Sequence, residues 1–229
     1  LEPMGKKLIG IRLDSGDLAY LSKEARKMLD EAGLSDCMIV ASNSLDEYTI
    51  SSLNRQGAKI DSYGVGERLI TSSSTPVFGA VYKLVAIQKD GKFIPKIKIS
   101  ETAEKITNPG IKEVYRVYDE NGKAVADYLA VKGEQIRDLE PVRYVDPVNY
   151  WKNRSFVGCR FKKLQVPVFE KGKRIYDLPD IEEIRQYVKD QLENEIWEEE
   201  QRFENAHTHY LDMSPAMFEL KMSLLHEEN

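Results

Sequence analysis

Apolar and polar residues alternate with two different periods along this chain, and the change of period divides it. Leu8-Ile-Gly-Ile-Arg-Leu13 is a short apolar run that predicts a buried strand. Asp17 then opens a helical stretch with apolar residues at Leu18, Leu21, Ala25, Met28, Leu29 and Ala32, stopped by Gly33. Met38-Ile-Val-Ala41 reads as the next strand. Ser44-Leu-Asp-Glu47 reads as a capping box, with Ser44 at the N-cap and Glu47 at N3, opening a helix that ends near Gly57. Lys59-Ile-Asp-Ser-Tyr63 is a third strand, ending in Gly64-Val65-Gly66. Strand–helix–strand–helix–strand with short loops implies parallel strands joined by right-handed crossovers.

Near Pro76 the period turns from helical to alternating. Val81–Ile87 and Phe93–Ile99 flank Lys-Asp-Gly-Lys, while Val114–Tyr118 and Ala124–Val131 flank Glu-Asn-Gly-Lys. Asp-Gly and Asn-Gly between such runs are hairpin signals. Farther on, Leu164–Phe169 and Arg174–Asp177 flank a turn at Glu170–Lys173. A long helix is expected from Asp180, capped by Asp180 with Glu183 and carrying the apolar stripe Ile181, Ile184, Val188, Leu192 and Ile196. The acidic run Glu198–Glu200 would be its solvated face, and a last short helix is expected around Pro215–Leu225. Three sections result: an α/β portion over 1–76, a β-rich section over 77–146, and a C-terminal extension over 147–229.

Composition narrows the function classes. The 229 residues carry 33 Lys+Arg against 38 Asp+Glu, a net charge of −5. That balance argues against a nucleic-acid binder, which needs surplus cations to displace phosphate counterions. No apolar run approaches the ~20 residues that cross a bilayer, and no membrane partner is expected. Cys37 and Cys159, far apart and without metal spacing, read as reduced thiols of a cytoplasmic protein. His207, His209 and His226 lack accompanying Cys or carboxylate ligands in a metal pattern. The start at Leu1, so close to a core strand, leads us to expect a fragment.

In a βαβαβ arrangement, ligands bind where the carboxyl ends of the strands converge. Three strand ends stand out here: Arg12-Leu-Asp14-Ser15-Gly16-Asp17, then Ser42-Asn43-Ser44, then Gly64-Val65-Gly66. Arg12 offers a cationic fork. Asp14 and Asp17 can accept hydroxyl protons or hold hydrated Mg²⁺. Gly64 and Gly66 let backbone N–H groups approach an anion. Each feature has a plain alternative: Asp17 as a helix cap, Ser44 as the capping-box serine, Arg12 in an ion pair with Asp14 or Asp17, and the glycines as turn residues. Their coincidence on three successive strand ends favours a phosphate-sugar site.

These residues, with Ala41-Ser-Asn-Ser-Leu-Asp-Glu47 and Tyr63-Gly-Val-Gly66, resemble the nicotinate phosphoribosyltransferase family. Gly79-Ala-Val-Tyr-Lys-Leu-Val85, Pro95-Lys-Ile-Lys-Ile-Ser100, Leu164-Gln-Val-Pro-Val-Phe169 and Tyr176-Asp-Leu-Pro179 are similar to its bacterial branch. The resemblance implies part of a type II phosphoribosyltransferase α/β barrel, followed by a β-rich section and a C-terminal helical extension. It implies joining of nicotinate to phosphoribosyl pyrophosphate, coupled to ATP hydrolysis through a phosphohistidine upstream of this chain, with Mg²⁺ present and a homodimer in the full-length protein. Arg12, Asp14, Ser15, Gly16 and Asp17 would face substrate, with Asp14 in an orienting or electrostatic role. Ser42, Asn43, Gly64, Val65 and Gly66 would hold ribose and phosphate. The nicotinate ring pocket would lie largely outside this sequence, so the chain alone is expected to be inactive. In nicotinamide-using relatives the last loop is richer in glycine, whereas Glu67 follows Gly66 here. A nicotinamide-specific relative and a non-catalytic nucleotide- or phosphate-binding module are the alternatives.

Overall fold

The structure, a computed structural model, describes residues 5–77, 79–151 and 153–227. It divides into two compact units, Leu1–Val81 and Tyr82–Asn229. The first contains β1 (Gly10–Leu13), α1 (Leu18–Glu31), β2 (Met38–Ala41), α2 (Glu47–Arg55), β3 (Ser62–Tyr63) and a short α3 (Glu67–Ile70). β1, β2 and β3 form a parallel sheet in that order, with Leu13 beside Ala41 and Ala41 beside Tyr63. The apolar stripe of α1 buries Leu18 and Ala19 against Ala41, Leu45 and Leu53. Leu29 packs with Cys37 and Ile39 nearby. Crossover connections put helices on the sheet, so Ile39 and Ala41 of the central strand are fully buried.

Two expectations change here. β3 is only two residues long, because Asp61 turns its carboxylate to accept from the Ile39 N–H at 2.8 Å. The second helix is capped by Asp46, not Ser44. Asn43 and Ser44 have φ of 92° and 48°, so the chain turns sharply through them. Extended N-cap backbone is reached only at Asp46, whose Oδ1 accepts from the Thr49 N–H at 2.8 Å.

The second unit begins with the hairpin β4 (Ala86–Lys89) and β5 (Lys92–Pro95), shorter than its apolar runs because the preceding residues lie exposed. Its turn residues Asp90 and Gly91 both take positive φ, as a two-residue hairpin requires. β6 (Lys112–Tyr118), β7 (Ala124–Val131), β8 (Val142–Val145), β9 (Asn153–Phe156) and β10 (Arg160–Lys163) follow, then the small hairpin β11 (Phe169–Glu170) and β12 (Lys173–Arg174). α4 (Ile181–Asp190), β13 (Leu211–Met213) and α5 (Pro215–Glu227) complete the chain. The main sheet has the order β10-β6-β7-β13-β8-β9, all antiparallel except β7 with β13.

β7 runs through the middle of this sheet, and its near-continuous apolar sequence is explained by burial on both faces. On one face Tyr128 and Ala130 pack with Val117 and Cys159, ringed by Tyr144, Phe156 and Phe161. On the other Leu129 packs with Met213 and Met217 of the α5 side. α4 has the expected Asp180–Glu183 capping box but is shorter than its stripe. A π turn over Gln191–Glu195 follows, and Ile196 is extended. The Tyr118 hydroxyl donates to Glu195 at 2.5 Å, fixing that turn against β6. Glu198–Glu200 therefore lies beyond the helix, and the Glu200 carboxylate meets His209 Nδ1 at 3.1 Å.

Candidate functional site

Parallel register does the positioning in the first unit. Ser42 N–H donates to the Leu13 carbonyl at 2.9 Å and Gly64 N–H donates to the Ala41 carbonyl at 2.8 Å. Asp14, Ser42 and Gly64, each the first residue beyond its strand, are thereby held in a row. The Ser42 hydroxyl donates to Asp14 Oδ1 at 2.5 Å, a charge-assisted bond that orients the carboxylate. Arg12 Nη2 stands 3.8 Å from Asp14 Oδ2, with the two side chains 66% and 52% exposed. An ion pair that open to water contributes little to stability and leaves both groups accessible.

Beside this row is a cleft of about 650 Å³ lined by Asn43, Ser44, Leu45, Gly64, Gly66, Glu67, Arg68 and Ser73. The anticipated Asn43, Gly64 and Gly66 are brought to it. Open space surrounds the place where a Cβ of Gly66 would stand, so the loop leaves room for a ligand. Gly64 corrects the expectation of two anion-facing glycine amides, since its N–H is spent on Ala41. Val65 turns inward and packs on the first core. Asp17 caps α1, accepting from the Tyr20 N–H at 3.0 Å. Ser15 and Gly16 form the exposed turn before that cap, where Gly16 takes φ 77°. These residues, with Arg12 and Asp14, are outside the lining of the cleft.

Five lining residues were not among the expected contacts: Ser44, which was read as a helix cap, and Leu45, Glu67, Arg68 and Ser73. Asp46 Oδ2 accepts from the Arg68 guanidinium, so the helix cap also fixes the one arginine of the cleft lining. The Thr49 backbone N–H first, and Arg68 after it, holds the Asp46 carboxyl below its usual 3.8. A cation two residues past a strand-end glycine was a legible signal for Arg68. Ser44 was assigned to the helix cap, a role that Asp46 takes, which leaves the Ser44 side chain at the cleft. An arginine, two hydroxyls and an amide around an open glycine loop can hold a phosphate group. Among the described residues there is no group of three or more His, Cys, Asp and Glu placed for a metal ion.

Residues 111–221 match the family described as nicotinate phosphoribosyltransferase C-terminal domain. The chain is 48% identical over 220 residues to a nicotinate phosphoribosyltransferase of Bacillus subtilis, covering 96% of this chain and 45% of the relative. It is 36% identical over 234 residues to one of Dictyostelium discoideum, covering 96% and 39%. The fold matches the crystal structure of human nicotinic acid phosphoribosyltransferase with a TM-score of 0.72 at 24% identity, over 95% of this chain and 40% of that one. The chain thus spans less than half the length of these relatives.

Proposed function

From a chain that belongs to the nicotinate phosphoribosyltransferase family, we infer that the full-length protein joins nicotinate to phosphoribosyl pyrophosphate, releasing pyrophosphate and coupling the step to ATP hydrolysis. The first unit supplies the ribose-phosphate side of that site, and its three parallel strands are part of an α/β barrel. The observation that carries this reading is the register that sets Asp14, Ser42 and Gly64 in a row beside the Arg68 cleft, in a chain 48% identical to the Bacillus subtilis enzyme.

In this reading Arg68, Ser44 and Ser73 hold the 5′-phosphate, while Asn43 and Ser42 lie toward the ribose. Asp14, oriented by Ser42, faces positive charge developing on the ribose as pyrophosphate departs. Its exposed carboxylate suits outer-sphere contact with hydrated Mg²⁺, a cation that keeps most of its waters. When bound, Mg²⁺ supplies neutralisation of the leaving-group charge. A cytoplasmic location accords with the two free thiols, Cys37 and Cys159. Exposed Ile181 and Val188 on α4 and Leu192 in the π turn after it support an assembly, such as a homodimer, that covers them. Among the described residues no helix is long and apolar enough to cross a membrane.

The test is an assay of the full-length protein with nicotinate, phosphoribosyl pyrophosphate and Mg²⁺, with and without ATP. Nicotinate mononucleotide should form faster with ATP. Absence of product, with phosphate still bound, would favour a non-catalytic module. Product from nicotinamide alone would favour the nicotinamide-specific relative.

A further inference from the structure

The second unit contains a cavity of about 440 Å³ unrelated to strand-end chemistry. Val125, Ala126, Tyr144, Asp146, Arg154, Phe156, Tyr210 and Asp212 line it. Register explains its position. Asp212 on β13 stands beside Tyr128 on β7, and Met213 pairs with Val145 on β8, which brings Asp212 opposite Asp146 one step along the antiparallel pairing. Two carboxylates directly across from each other repel. Asp146 is fixed by a turn, accepting from the N–H groups of Val148 and Asn149 and from Asn149 Nδ2. Asp212 is only 8% exposed and its carboxylate has no hydrogen-bond partner among the described residues. A largely desolvated carboxylate facing a second one favours a cation placed between them in the cavity.

The walls define the partner. Tyr144 and Phe156 stack with ring centroids 4.4 Å apart, and exposed Tyr210 closes one side. Aromatic walls favour a cation with an apolar body. Too few oxygen ligands are present for a divalent metal, which agrees with the lack of a three-ligand cluster among the described residues. Arg154 beside Tyr144 offsets one of the two carboxylates, so the fully ionised lining carries one net negative charge. We propose that this cavity binds a small organic monocation, a primary ammonium on a flat apolar body, with Asp212 as its anionic partner.

The pH dependence follows from the groups that face Asp212: Asp146 beyond β8, Tyr144 on β8, Tyr128 on β7, Arg154 on β9 and Tyr210 just before β13. Burial first, then Asp146, raises the Asp212 carboxyl to about 6. Burial pushes Tyr128 and Tyr144 upward, away from the range between pH 5 and 7.5, whereas Asp212 titrates within it.

The experiment titrates the full-length protein with benzylamine by calorimetry, with benzyl alcohol as the neutral control. Benzylamine should saturate a site at pH 7.5 and bind about tenfold more weakly at pH 5, the ratio of ionised Asp212 at a pKa near 6. Benzyl alcohol should not saturate. Asp212→Asn should abolish the interaction with the circular dichroism spectrum unchanged. Tyr210→Ala, which removes an exposed wall and leaves the core intact, should weaken it. Absence of saturable binding, equal binding by Asp212→Asn or by benzyl alcohol, or displacement by millimolar Mg²⁺ would overturn the assignment.

Discussion

The two units use polar residues in opposite ways. In the first, Arg12, Asp14, Asn43, Ser44 and Arg68 lie exposed at the ends of a small parallel sheet, and the pairing of Arg12 with Asp14 and of Arg68 with Asp46 leaves them open to solvent. In the second, polar side chains are largely consumed by the sheet. Arg116 clasps Asp127 with two bonds of 2.9 and 3.2 Å, and Ser214 donates to Glu134 at 2.6 Å. The contrast shows where each kind of energy resides. Polar groups at strand ends are dispensable for folding and available for ligands, whereas those inside a six-stranded sheet are part of the fold. Asp212 departs from its surroundings, as a buried acid with stability set against it.

Substitutions can break that comparison. The largest effect should come from Tyr128→Ala. Tyr128 is 2% exposed and holds the aromatic face through Phe156 and Phe161, each at 6.0 Å. Losing it should cost roughly 3–5 kcal/mol in denaturant unfolding, and a loss below about 1 kcal/mol would mean the face is loosely packed.

Next comes Asp14→Asn in the full-length protein. It should lower kcat by about 10²-fold, the scale of a lost electrostatic partner, with the unfolding temperature nearly unchanged. A large stability loss with normal kcat would place Asp14 in the fold instead.

A paired test follows. Ser214→Ala should destabilise the second unit by about 1–2 kcal/mol, because buried Ser214 both donates to Glu134 and accepts from the Met217 N–H at the start of α5. Ser44→Ala should leave stability unaltered and raise KM for phosphoribosyl pyrophosphate. Equal stability losses would erase the distinction between the units.

The smallest effects are those of pH, and they have opposite signs. The folded Asp46 carboxyl lies below its ordinary 3.8, so its contribution is present above that value and lost as pH falls through the folded pKa. Asp46→Asn should therefore flatten the acid side of the stability profile. Asp212 titrates at about 6 in the folded state, so it binds a proton that the unfolded chain has released, and ionisation lowers stability as pH rises from about 4 to 6. Asp212→Asn should raise the unfolding temperature at pH 7.5 more than at pH 5. Thermal scans across pH 3–8 check both.

The local patterns were decisive wherever neighbours in sequence are also neighbours in space. Asp17 and Asp180 cap helices from positions legible in the chain, and the Asp-Gly turn gives the hairpin it promises. The parallel order of the first three strands followed from short crossovers alone. What the sequence could not decide was settled by contacts between distant residues. Whether Ser44 or Asp46 caps α2 depends on the turn at Asn43 and on Arg68, twenty-two residues beyond Asp46. Where α4 stops depends on Tyr118, seventy-seven residues before Glu195. The meeting of Asp212 with Asp146 arises only when β13 is inserted between β7 and β8. Periodicity records which face of an element is buried, because burial rewards apolar residues one by one. It does not record which partner covers that face, because many partners satisfy the same pattern and only the assembled sheet selects one.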